Sequence, residues 1–309
     1  MAIFIVFNAS LLLKSACYYY TRLMGRQQTI HSNQGKRTTC QQSSTYGWIA
    51  IYYLLSTVYC LLSTTSYGAD WRQCLEEGDK LYAHRTHEGE EWGSLEGAIK
   101  KYEEALAGVP KAEKEVLYGL YLRLARTNYQ FAYYFLVEED RVLQGYKNGF
   151  EYADKAIKVN DKGGEAYFWR GISAGSFRDK KRLSGVGGLF GGGIKKDLQR
   201  VLELDERCVY GGPHRFMAKF HLATDETEGA YVHALRAVEI APDFLHNQLV
   251  LAEALWKLEQ KAQAIERLEY IMSKGPGILP EAVIENREVV TRTGPILQDI
   301  RDRKEPNWD

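Results

Sequence analysis

From residue 70 onward, apolar side chains recur every three or four positions, the spacing of one buried helix face. The strict alternation of a half-buried strand is absent, so the pattern predicts an all-α chain. A longer period lies over the helical one. "GPHRFMAKFHLATDETEGAYVHALRAVEIAP" ends at Pro242 and "FLHNQLVLAEALWKLEQKAQAIERLEYIMSKGP" ends at Pro276, 34 residues later. Ala218 and Ala252, Ala230 and Ala264, Ala234 and Leu268, and Ala237 and Ile271 keep the same interval. Small residues let the second helix of a pair lie close against the first. Proline lacks the amide hydrogen and clashes with the preceding turn, so it closes each unit.

This period and its small positions resemble the tetratricopeptide repeat (TPR). Earlier units fit with insertions. Gly78 stands at a first-helix position, and Ala98, Tyr102, Ala105 and Pro110 mark the second helix. Gly78 to Ala98 is 20 residues, against 12 between Ala218 and Ala230. The next unit opens with a long helix, about 114–137, followed by Gly149, Ala153, Ala156 and Asp161. The third has Gly171, then Ile194, Leu198 and Val201. Residues 70–309 therefore read as a TPR-like solenoid of four to five helix pairs with enlarged intra-repeat loops. Residues 280–304 read as a C-terminal capping helix, interrupted near Gly294-Pro295.

The stretch "GVGGLFGGGIKK" (185–196) invites a phosphate-loop reading, which its spacing refuses. Ile194 separates Gly193 from Lys195, and no Ser or Thr follows the lysines. A dinucleotide fingerprint fails as well, because Phe190 stands where its last glycine belongs. The run instead reads as an enlarged turn between the two helices of the third repeat. Leu189 and Phe190 on it are apolar where a solvated turn has no need of them, which makes them candidate interface residues.

Charge is divided unevenly. Lys plus Arg equals Asp plus Glu over the whole chain, so nothing global points to nucleic acid. Residues 1–69 carry five basic residues and no acidic one. "WIAIYYLLSTVYCLLSTT" (48–65) then "SYGAD" complete the pattern of an export leader, with a start near Ala69 or Asp70 after cleavage. The initiator is then expected downstream, at Met24 for example. A retained anchor and lipidation at Cys60 stay open, although Tyr59 is bulky for a lipid-attachment signal. The expected location is the periplasm or cell envelope, with membrane association only through the leader or a lipid. Cys74 and Cys208 remain in the exported part, either as one disulfide or as two buried thiols.

Chemistry-bearing stretches are few. "HRTHEGEEW" (84–92) gathers His and Glu without metal-ligand spacing and reads as a solvated polar loop. No nucleophile, base or carboxylate pair is spaced for catalysis, so neither an enzyme nor a cofactor is expected. In "ERCVYGGPHRFMAKFH" (206–221), Pro213 suits a first helical turn. His214 and Arg215 follow, where they either help a helix N-terminus hold an anion or simply start a helix. Tyr118, Tyr121, Tyr129, Tyr133, Tyr134, Tyr167 and Trp169 are candidates for the inner groove, with core packing as the competing reading.

"EYADKAIKVNDKGGEAYFWRGISAG", "DLQRVLELDERCVYGGPHRFMAKFH" and "ALRAVEIAPD" together resemble the TatT component family of tripartite ATP-independent periplasmic (TRAP) transporters. The "YGGPHRF" stretch is the specific part; the remainder is common to TPR proteins. The resemblance implies an exported helical-repeat protein that forms a homotrimer. It also implies binding to a periplasmic solute-binding protein and passage of a hydrophobic ligand. A general envelope scaffold for protein complexes is the alternative function.

Overall fold

The computed structural model describes residues 70–87, 89–181 and 193–308, and the leader expected over 1–69 lies outside them. Among the described residues every long element is helical. The helices are α1 (Trp71–His84), α2 (Glu91–Gly108), α3 (Lys114–Phe135), α4 (Glu139–Val159), α5 (Gly164–Lys180) and α6 (Ile194–Leu204). There follow α7 (Cys208–Ala223), α8 (Thr227–Ile240), α9 (Leu245–Lys257) and α10 (Lys261–Lys274). Two 3-10 turns, Pro276–Ile278 and Pro280–Ala282, lead into α11 (Val283–Arg301). Consecutive helices pack against each other, giving five TPR-like pairs and a terminal helix.

The seams between paired helices sit where the period places them. Ala98, Ala105, Ala153, Ala156, Ala218, Ala230, Ala234, Ala237, Ala252 and Ala264 are fully buried, and so are Leu268 and Ile271. Gly78 shows how close the approach is. A Cβ there would stand 2.6 Å from the ring of Tyr102, whose hydroxyl donates to Asp79 at 2.8 Å. Leu198 and Val201 bury α6 against α5, as the register from Gly171 requires.

Three local features depart from the sequence pattern. First, α11 runs through Pro295 without the expected interruption. Burial of Val289, Thr293, Ile296 and Leu297 on either side holds it continuous, so packing outweighs the local penalty of proline. Second, the 84–92 segment is not wholly solvated. Arg85 and Glu91 are buried, and both bind the C-terminal region, 196 positions away in sequence. Third, α7 opens on a left-handed turn. Val209, Tyr210 and Gly211 have φ of 46°, 59° and 70°, and the regular helix begins after them with Pro213 in its first turn. Left-handed backbone is strained for Val209 and Tyr210, and only Gly211 adopts it freely. Asn247 holds the turn by donating to the carbonyls of Tyr210, Ala237 and Ala241.

Cys74 and Cys208 are free thiols, each buried in a different hydrophobic cluster. Leu189 and Phe190 lie outside the described residues. No helix among the described residues is long and apolar enough to cross a membrane.

Candidate functional site

The C-terminal region, α11 and the 3-10 turn before it, returns to the first pair and to α3. Arg287 of α11 donates to Glu91 at 2.7 Å, Gln130 donates to Glu285 at 2.7 Å, and Arg85 donates to the Glu281 carbonyl at 2.7 Å. Tyr82 supports this latch by donating to Gln130 at 2.8 Å. Each of these links is polar and is made by a long arginine or glutamine side chain.

Behind the latch, the first helices of the pairs surround a cavity of about 1460 Å³. Its wall draws on α1, α3, α5, α7, α9 and α11, the last of these through Glu285 and Arg292. Aromatic rings form one continuous side. Tyr129 stacks on Tyr133 at 5.8 Å and meets Trp169 at 5.8 Å, and Phe168 packs edge-on against Trp169 and Phe216. Tyr133 keeps 38% of its surface accessible, yet burial raises its phenol pKa. A concave wall explains both, since a small molecule can touch the ring while protein displaces most surrounding water.

Charges line the same cavity, and several are matched. Lys219 pairs with Glu253 at 2.9 Å, and Arg292 donates to Glu288 at 3.1 Å. Trp169 donates to Glu165 at 2.9 Å. Arg215 differs. The Arg215 guanidinium donates to the Asn247 side-chain oxygen at 2.9 Å and lies over the Phe244 ring at 4.7 Å. No carboxylate among the described residues pairs with it. Burial pulls its pKa down to about 10, and the groups that act against this are the neighbouring tyrosines and Cys208 rather than an acid.

Of the residues singled out from the sequence, Tyr129, Tyr133, Tyr134, Trp169 and Arg215 line the cavity. Four others lie elsewhere, for geometric reasons. Tyr118 is three turns before Tyr129 on the same face of α3, roughly 16 Å along the axis. There it meets the chain at Gly163, and burial pushes its pKa up to about 12. Tyr121 points to another face and stacks on Tyr152 at 6.4 Å. Tyr167 donates to the Asp161 carbonyl at 3.2 Å and packs under Arg170. His214 precedes Arg215 by one residue, so the two diverge by roughly 100° around α7. Its ring meets the Glu206 carboxylate at 3.1 Å and His233 at 2.9 Å, an arrangement for a cation-accepting acid rather than for an anion.

The sequence reading missed Tyr82, Arg126, Phe168, Phe216, Phe244 and His246 on the wall. A usable signal existed for some of them. Phe168 adjoins Trp169 and Phe216 adjoins Arg215, on helices whose small positions already fixed the rotation. Phe244 precedes a helix and had no such frame.

Fold and cavity define the class as an all-α, TPR-like repeat protein, whose concave side offers an extended binding surface. The sequence matches no protein-family profile and no curated protein. Among solved structures it is similar to one described as "Crystal structure of MamA protein", at 17% identity and a TM-score of 0.41. That match covers 72% of this chain and 94% of the other. A second, "Crystal structure of MamA", matches at 16% identity and a TM-score of 0.39, over 64% of this chain and 92% of the other.

Proposed function

We propose that this protein is an exported accessory component of a TRAP-type solute transport system, binding a periplasmic solute-binding protein and holding a hydrophobic ligand. The observation that carries the reading is the cavity, large enough for a small organic molecule and walled by aromatic rings on one side. The likeness of "YGGPHRF" to the TatT family agrees with it. That stretch supplies Tyr210 and Arg215 to the cavity wall, and its Tyr210 and Gly211 belong to the left-handed turn. A homotrimer and an export leader belong to the same reading.

The test is crosslinking in native cells followed by purification and mass spectrometry of the bound proteins. Enrichment of a solute-binding protein supports the transport role. Enrichment of other envelope proteins without one overturns it in favour of a general envelope scaffold. Light scattering of the purified protein should give three chains per particle, and a monomer would remove the trimer. The native protein should begin near Ala69 or Asp70, and an intact residue 1 in a cytosolic fraction would remove export.

A further inference from the structure

The helix α11 is held differently on its two sides. Toward α9 and α10 it buries Val289, Ile296 and Leu297 in one apolar cluster with Leu249, Trp256 and Leu268. Toward α1–α3 the chemistry changes. Among the described residues, no cluster of buried apolar side chains holds members of both α11 and α1–α3. What joins them is the polar latch, and its closed form is incompletely satisfied. Arg85 and Glu285 approach to 3.9 Å without a hydrogen bond between them. The buried Nε of Arg85 and Oε2 of Glu285 have no partner among the described residues. Parting the two sides lets water reach both atoms, which offsets part of what the latch bonds contribute. Arg85, Gln130, Glu281 and Glu285 also line the cavity, so parting them opens its wall. A repeat solenoid supplies the motion, because small rotations at successive pairs add along the stack.

We propose that the latch is a gate: in solution α9–α11 part from α1–α3 as one body and close again, and each opening exposes the cavity. The use of the gate rests on the reading of the cavity as a ligand site; the motion itself does not. The seams set what moves. Separating α11 from α9 and α10 exposes apolar surface, so these three stay together. Separating α11 from α1–α3 exchanges a few hydrogen bonds for bonds to water and hydrates two charged atoms that lacked partners. The two forms therefore lie close in free energy, and the open one is a populated minority with its helices intact. Weakening the latch shifts the balance toward the open form, because the lost bonds exist only when the gate is closed.

Double electron–electron resonance on the full chain tests this. Nitroxides are attached through a ketone-bearing amino acid, which leaves Cys74 and Cys208 untouched. One label pair spans the latch, at the exposed positions Glu96 of α2 and Thr291 of α11. A second pair stays within the C-terminal body, at the exposed positions Glu269 of α10 and Thr291. The spanning pair should give two distances, the longer in about one molecule in ten. In the variant Gln130→Ala with Arg287→Gln, the longer distance should rise about fivefold, to about half of the molecules. The internal pair should give one distance in both proteins. A single spanning distance in the unmodified protein overturns the gate whatever the variant does, so the test stands even if the variant fails to fold. Two distances in unchanged proportion overturn the latch as what controls them. A second distance in the internal pair overturns the moving body and points to loss of α11 from its seam. No ligand enters the measurement, so failure of the gate leaves the cavity a ligand site, and a cavity that binds nothing leaves the motion standing.

Discussion

The seams between paired helices and the latch between first and last helices do the same topological work by opposite chemistry. In the α9–α10 seam, Ala252, Ala264, Leu268 and Ile271 are fully buried, and no polar group takes part at those positions. In the latch, Arg287 donates to Glu91, Gln130 to Glu285 and Arg85 to the Glu281 carbonyl, between elements distant in sequence. A seam cannot part without exposing apolar surface, whereas a latch exchanges its bonds for water at far smaller net cost. The difference assigns rigidity to the pairs and any opening of the cavity to the latch.

The largest effect should come from damaging a seam. Tyr102→Ala removes a fully buried ring from the α1–α2 contact and its bond to Asp79, which Arg123 also grips at 2.7 Å. We expect a loss of about 3–5 kcal/mol in urea unfolding. A loss below about 1 kcal/mol would mean the seam is looser than its burial implies.

Damage to the latch should cost less and act locally. Gln130→Ala removes the donor to Glu285, whose other carboxylate oxygen already lacks a partner. We expect about 2 kcal/mol and faster amide exchange in α11 than in α9 and α10. Uniform acceleration across all three would contradict a local latch.

Histidines sharpen the comparison at lower pH. On the α7–α8 seam, burial pushes His233 down to about 4, helped by the neighbouring His214 and His221. Near the latch, burial also lowers His246, against the pull of Glu288. A histidine with a depressed folded pKa binds its proton more readily when unfolded. Its contribution is therefore intact above about 6.5 and is lost as pH falls toward the folded value. Glu206, held at about 2 by Arg236 and His214, keeps its charge until pH falls below the ordinary carboxylate range. The urea midpoint should fall between pH 7 and pH 4.5, and His233→Gln should reduce that fall. An undiminished fall in the variant would assign the effect to His246 and the latch side.

The smallest effect on stability belongs to Arg215→Met. Removing a half-buried cation with no acid partner among the described residues, at nearly equal volume, should change unfolding by less than about 1 kcal/mol in either direction. A large loss would show that Arg215 holds the fold together.

Seam positions were legible in the sequence because they repeat: Ala218 and Ala252, or Ala230 and Ala264, each report the other through a fixed interval. The cavity was legible in part. Tyr129, Tyr133 and Trp169 stood out by density, but density does not carry rotation, so Tyr121 and Tyr167 came with them. The pair His214-Arg215 drew attention together, and helix geometry then sent the two to different neighbours. The latch left no mark. Glu91 and Arg287 obey no period, and single charges on helix surfaces look alike whether they meet water or each other. Pro295 misled for the opposite reason, since a strong local signal was overruled by packing around α11.

The central claim is that α11 binds the first helix pair, and a double-mutant cycle on Glu91 and Arg287 tests it directly. Glu91→Gln, Arg287→Gln and the double variant are compared by urea unfolding with the unmodified protein. The account predicts a coupling of about 1 kcal/mol, the size expected for a half-buried charge-assisted contact. Strictly additive losses would contradict it, leaving the repeat open and the cavity without its closing wall.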